Sequence, residues 1–305
     1  MIYNPKLLPS SSARRRPTQY GLTLIELMVS LVIGLVLSIV ASSTYLYSKQ
    51  AYNAVSENSQ MEENGRSALL LLARNIQTSG YQTLVESGVP PKPGGDSGDR
   101  IKGCDFGMVS PQNASSGADL ACNSSAPAGS SPSASIAVFY DTDAYTSSGA
   151  QFQGFNCLGQ SAALDPTNGK YLVRSYFFIS TSSVQTTYGT TTMGQLSCVT
   201  ESNSLGNFQA QPLIPGVHQM AITYLLPSGL DPTVSQKETS AAILEASNTW
   251  KTVSAVEICV LTKSIQPSGN DTQTQVTDCY GNAFTPSPGQ SYRRFSTSVN
   301  LRNRI

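Results

Sequence analysis

Gly21-Leu22-Thr23-Leu24-Ile25-Glu26-Leu27 opens an apolar run that continues to about Tyr47. From Leu22 to Ser48 the one charged side chain is Glu26 and there is no proline. The stretch is therefore long enough to cross a bilayer core as a helix. A carboxylate near the start of a spanning helix costs a few kcal/mol unless it meets a cation or hydrogen-bond donors, so Glu26 marks a functional contact. The alternative is a plain signal anchor with Glu26 at the level of the lipid headgroups.

Arg14, Arg15 and Arg16 stand close before the apolar run and only Lys49 follows it, so the leader is expected to stay cytoplasmic while the rest of the chain is exported. A cleavable secretory signal peptide fits less well, because the apolar stretch exceeds the usual length and no clear small-x-small site ends it. Across 305 residues the charges balance at 19 basic and 19 acidic. Removal of Lys6 and the three arginines with a leader ending at Gly21 leaves 15 basic against 19 acidic residues, a net charge of −4. That acidity gives no electrostatic footprint for a nucleic-acid backbone, so no nucleic-acid partner is expected. With 12% charged residues and many Ser, Thr, Gly, Asn and Gln, the composition suits an exported, loop-rich protein.

Beyond Gln50 the chain stays free of proline to Thr78 and rich in helix formers. Leu69, Leu72 and Ile76 share one face, Glu62 and Arg66 pair at four residues on another, and Gly80 is a C-cap candidate. The expected helix, 22–80, covers about 58 residues and roughly 87 Å, with its membrane-spanning part at 22–48 and Gly34 and Gly65 as weak points. Residues 81–134 read as an irregular region rich in Pro, Gly and Ser.

Strands are expected from Ser135 onward, at 135–140, 170–180, 195–200, 217–226, 253–263 and 294–301, with a short helix over 240–247. Tyr171, Val173, Phe177 and Ile179 alternate with Leu172, Tyr176 and Phe178, so both faces of that strand are apolar and both should be covered, one by the long helix. Helix followed by strands gives an α+β fold, with a long N-terminal α-helix packed on a C-terminal antiparallel β-sheet domain over 135–305.

Cys104, Cys122, Cys157, Cys198, Cys259 and Cys279 all lie outside the helix, on the oxidising side of the expected topology. Six cysteines allow fifteen pairings, and sequence alone does not choose. Sequential pairing, 104 with 122, 157 with 198 and 259 with 279, is the expectation because each pair brackets a loop or hairpin. No C-x-x-C spacing accompanies them, which argues against zinc. Asp141 with Asp143, and Asp96 with Asp99, are read as polar turns rather than a calcium site, since no complete ligand loop follows either pair. Catalytic patterns are missing: no G-x-S-x-G, P-loop or H-E-x-x-H occurs, and His218, the one histidine, reads as a structural imidazole beside Met220 and Ile222. No enzyme activity and no cofactor are expected.

The basic leader, Gly21 and the Leu22–Leu27 block resemble the processing signal of type IV pilins and pseudopilins, with Leu22 where the family usually has phenylalanine. The resemblance implies cleavage by a prepilin peptidase between Gly21 and Leu22, N-methylation of Leu22, and a role for Glu26 in neutralising the amino terminus of an adjacent subunit. Gln60-Met61-Glu62-Glu63-Asn64-Gly65-Arg66 with Leu69 to Tyr81, Pro215 to Tyr224, Trp250 to Leu261 and Leu301-Arg302-Asn303-Arg304 are similar to minor pilins of the PilW type and to J-type pseudopilins. What this implies is a minor pilin that primes assembly of a type IV pilus near its tip. Its partners would be other minor pilins, the major pilin, the prepilin peptidase, the inner membrane and a tip adhesin, and the processes served would be cell adhesion and twitching motility. A type II secretion pseudopilin is the nearer alternative; an adhesin or DNA-uptake subunit is the further one.

Overall fold

The computed structural model describes residues 21, 23–81, 100–109, 120–126, 132–142, 145–147, 150–152, 154–165, 170–186, 189–201, 208–228, 231–238, 240–265 and 275–303. Two compact units divide the chain between Ala51 and Tyr52. Helix α1 (Leu24–Thr78) runs unbroken through Gly34 and Gly65.

In the first unit α1 buries no side chain. In the second it buries Glu57, Met61, Gly65, Ala68, Leu72 and Ile76, successive positions three or four apart that define one face. The buried line thus runs through Ala68 and Gly65, and Leu69 lies at its margin, half-buried. Small residues on that face let the helix lie close to the sheet: a Cβ on Gly65 would fall within the ring of Phe295, 2.9 Å from its Cγ and nearer still to Cδ2 and Cε2. Glu62, on the flank, pairs with Arg66 one turn on and with Arg293, 3.2 Å away. All three side chains are well exposed, so these pairs contribute little.

The strands are β1 (Ile101–Cys104), β2 (Ser135–Thr142), β3 (Tyr145–Ser147), β4 (Ala150–Phe152), β5 (Ala163–Asp165), β6 (Lys170–Thr186), β7 (Gly189–Glu201), β8 (Phe208–Pro215), β9 (Val217–Ser228), β10 (Asp231–Glu238), β11 (Ala255–Lys263), β12 (Val276–Thr277), β13 (Ala283–Phe284) and β14 (Tyr292–Asn300). Between β10 and β11 lie α2 (Ala241–Ser247) and a 3-10 turn at Trp250–Thr252. One sheet has the order β1-β2-β6-β7-β8, with β5 also on β6; a second has the order β10-β9-β11-β14; β3-β4 and β12-β13 are small hairpins. Every pairing is antiparallel.

Ala68, Leu72 and Ile76 of α1, Ile136, Val138, Phe177 and Leu196 of the first sheet, and Met220, Ile222, Tyr224, Val256, Ile258 and Val260 of the second share one core. The opposite face of the first sheet carries a smaller cluster of Ala137, Phe139, Tyr176 and Val199 under Met108, with Leu120, Phe178 and Phe208 at its margin. Strand β6 is therefore covered on both faces, as its doubled apolar pattern requires. Part of the second cover comes from the stretch expected to be irregular. That expectation is corrected at 101–104, where β1 pairs with β2 (Ile101 opposite Val138) and all four residues are buried. Strands accordingly begin at Ile101, not Ser135. Asp105, next in the chain, accepts hydrogen bonds from the backbone N–H groups of Ala241 (2.8 Å) and Ala242 (3.3 Å), so the loop after β1 caps α2 across 135 residues or more.

The far end of α1 is closed in the same way. Gly80, with φ +69°, follows the last turn, and its N–H donates to Phe139 O. Asn303 Nδ2 reaches the carbonyls of Gln77, Thr78 and Ser79 at 3.4, 3.4 and 3.1 Å, filling acceptors that a helix leaves open.

Two outcomes follow, both readable through the fluorescence of the one tryptophan, Trp250, which is buried and bonded to Glu245. Gly65→Ala should lower the stability of the detergent-solubilised protein by roughly 1–2 kcal/mol, because crowding against Phe295 outweighs the gain in helix propensity. A rise in stability would show that the close approach is not a constraint. Asn303→Ala should cost about 1 kcal/mol and speed amide exchange in residues 76–80; unchanged exchange there would refute the capping role.

Candidate functional site

The candidate segment starts at the first described residues. Thr23 stands immediately before α1, and its Oγ1 accepts the backbone N–H of Glu26 at 3.3 Å while its carbonyl accepts that of Leu27. Thr23 is thus the N-cap of the helix and Glu26 its third residue, the spacing of a capping box. Sequence reading singled out Glu26 and passed over Thr23, although Thr23-Leu24-Ile25-Glu26 carries the pattern plainly. The Glu26 side chain is exposed in the first turn, where a negative charge also complements the helix dipole. Gly21 is described and exposed, with open space around its Cα; Leu22 lies outside the described residues.

Around the helix from Leu24 to Tyr47 the large apolar side chains are exposed on every side, Leu24 at 77% and Leu37 at 64%. Water does not tolerate such a surface, so it is made for lipid or for other helices. The serine and threonine hydroxyls in this stretch are already satisfied by the helix itself. Ser30, Ser38, Ser42, Ser43 and Thr44 donate their hydroxyls to carbonyls three or four residues earlier, at 2.8–3.0 Å. Ser30, Gly34, Ser38 and Ser42 follow at four-residue intervals and form a line of small side chains. The helix is long and apolar enough to cross a membrane.

In the second unit the structure joins Cys104 to Cys122, Cys157 to Cys198 and Cys259 to Cys279, with Cα separations of 5.3, 6.5 and 5.7 Å. The first ties the segment around Cys122 to the end of β1. The second fastens the loop before β5 to β7, and the third fastens the loop after β12 to β11. They brace three different loops against the sheets, and none lies near Glu26 in the chain. Among the described residues no group of three or more metal-binding side chains occurs. Asp141 is buried in β2, while Asp96, Asp99 and Asp143 lie outside the described residues.

His218 does not continue a simple alternation with Met220 and Ile222. Leu261 pairs with Gln219 but Thr262 pairs with Val217, so His218 is an extra residue in β9, a β-bulge. Val217 takes a core position and His218 is left half-buried, edge-on to the Tyr292 ring at 5.5 Å. Burial, and secondarily the Lys263 ammonium, hold its pKa below the usual imidazole value. At neutral pH it is an uncharged ring.

Residues 16–42 match the prokaryotic N-terminal methylation motif, and residues 176–303 match the type IV pilus-assembly protein W family. No curated protein matches the chain. Among solved structures, a type IV-like pilin from Thermus thermophilus is similar at 11% identity and a TM-score of 0.37, over 80% of this chain and 97% of that one. These families are structural pilins, not enzymes. With the methylation motif over the capped apolar helix and the second match running from β6 through β14, the chain is a type IV pilin-like protein with a PilW domain.

Proposed function

We propose that the protein is a minor pilin that a prepilin peptidase cleaves after Gly21 and that primes assembly of a type IV pilus near its tip. The observation that carries this reading is a helix apolar on all sides and introduced by Gly21 and Glu26, joined to a PilW domain. Before assembly the helix is held in the inner membrane, the leader with Arg14, Arg15 and Arg16 on the cytoplasmic side. Extraction into a filament exchanges lipid for neighbouring pilin helices, and the line of Ser30, Gly34, Ser38 and Ser42 supports close approach of another helix.

Glu26 supplies the register. In the first turn, three residues after the N-cap, its carboxylate meets the new ammonium group of an adjacent subunit. Each charge offsets the other's burial, and either alone would be strongly disfavoured. A domain of this size leaves little room for dense lateral packing, which supports a place at the end of the filament among other minor pilins. Other minor pilins, the major pilin and a tip adhesin are the partners this reading implies.

Intact mass and N-terminal sequencing of the membrane-associated protein test the processing step. A mature chain beginning at methylated Leu22, absent in Gly21→Ala, is expected; an uncut parent chain would end the reading. Glu26→Ala should be processed normally yet enter sheared pili at least about tenfold less well, equivalent to about 1.4 kcal/mol per subunit contact. Normal incorporation of that variant would remove Glu26 from the assembly step.

A further inference from the structure

At one end of the contact between the two sheets a groove of about 420 Å³ opens, near the small end of the range for binding pockets. Part of its lining is apolar: Phe106 and Met108 from the loop after β1, and Ile179 from the core face of β6. The lining also holds His218 on the β9 bulge, Lys263 at the end of β11, and the hydroxyl-bearing Thr181 and Thr192.

The bulge is accommodated by its neighbour. A Cβ on Gly194 of β7 would lie 2.9 Å from His218 Cα and closer still to the Val217 carbonyl, so a side chain there would displace the bulge. Bulges of this kind re-aim side chains and are over-represented beside functional sites.

The charge in the groove is unbalanced. Lys263 is half-buried, and among the described residues no carboxylate pairs with it. Among the described residues no acid lines the groove. The acid next in the chain to Phe106, Asp105, directs its carboxylate to the first turn of α2. Neither nitrogen of His218 has a hydrogen-bond partner among the described residues, so the ring is free to donate one bond. A half-buried ammonium without a counter-ion is unfavourable unless an anion completes it.

From this juxtaposition we infer that the groove binds a peptide segment of a partner protein, seating an aspartate or glutamate side chain on Lys263 and His218 and the adjoining apolar side chain against Phe106 and Ile179. The space holds about two side chains, and both halves of the recognition are present. A peptide, as opposed to a metabolite, is chosen because the protein is read above as an assembly subunit.

The test uses the full chain in detergent micelles with isotope-labelled histidine, since His218 is the single histidine and reports as one set of imidazole signals. Acetyl-Phe-Glu-amide should shift those signals saturably below about 10 mM. Acetyl-Phe-Gln-amide, which lacks only the charge, and acetate, which lacks the apolar part, should each bind at least about tenfold more weakly. Lys263→Met should erase the preference for Glu over Gln, and Lys263→Arg, which keeps the charge, should retain it.

Equal response to the two dipeptides, or no saturable shift with either, overturns the proposal. So does a preference that survives in Lys263→Met. Acetate binding as tightly as the Glu peptide would reduce the site to a bare anion subsite and overturn the peptide reading. None of these outcomes bears on cleavage at Gly21 or on Glu26, so failure here is distinguishable from failure of the assembly reading.

Discussion

The second unit depends on how closely the rear half of α1 can lie to the sheets. Helices normally keep their distance because side chains intervene, and here the contact face carries Gly65 and Ala68 where bulk would be expected. The Phe295 ring occupies the space that a side chain at 65 would need. Leu72 and Ile76, fully buried one and two turns on, then reach a core to which both sheets contribute. One face of one helix organises two sheets, and the disulfides and the distant caps on α1 and α2 secure the loops around that arrangement.

The same helix meets two solvents. From Leu24 to Tyr47 it presents apolar side chains in every direction and satisfies its own hydroxyls; from Glu57 onward it sorts buried from exposed positions at helical spacing. The change needs no break in the backbone. It is written in composition alone, and it places Glu26 at the end of the helix remote from the folded domain in sequence.

Much of this was legible in the chain. The helix, its C-cap at Gly80, the doubly covered β6 and the strands at β2, β7, β9, β11 and β14 follow from periodicity and length. Other features were hidden for identifiable reasons. Ile101-Lys102-Gly103-Cys104 is too short and too mixed to show alternation, and it is buried only because β2 pairs with it and Lys102 finds Glu245 at 3.4 Å. Strand β8 contains Pro212 and Pro215, which argue against a strand until it is seen to be an edge. The true contact face of α1 was obscured because hydrophobicity marks Leu69 and overlooks glycine and alanine. The bulge at His218 leaves no trace in the sequence, since a register shift is a property of two strands and not of one.

Asn303 grips the carbonyls at the end of α1 across more than 220 residues of chain. Seen as an order of events, this means that α1 is completed by a side chain synthesised more than 220 residues after it. Until β14 and Asn303 arrive, the end of α1 lacks its cap and Gly65 lacks the ring that lies against it. The second unit is closed by its most distant contact, like a drawstring pulled after the bag is filled, and contacts this far apart in sequence slow folding relative to local ones.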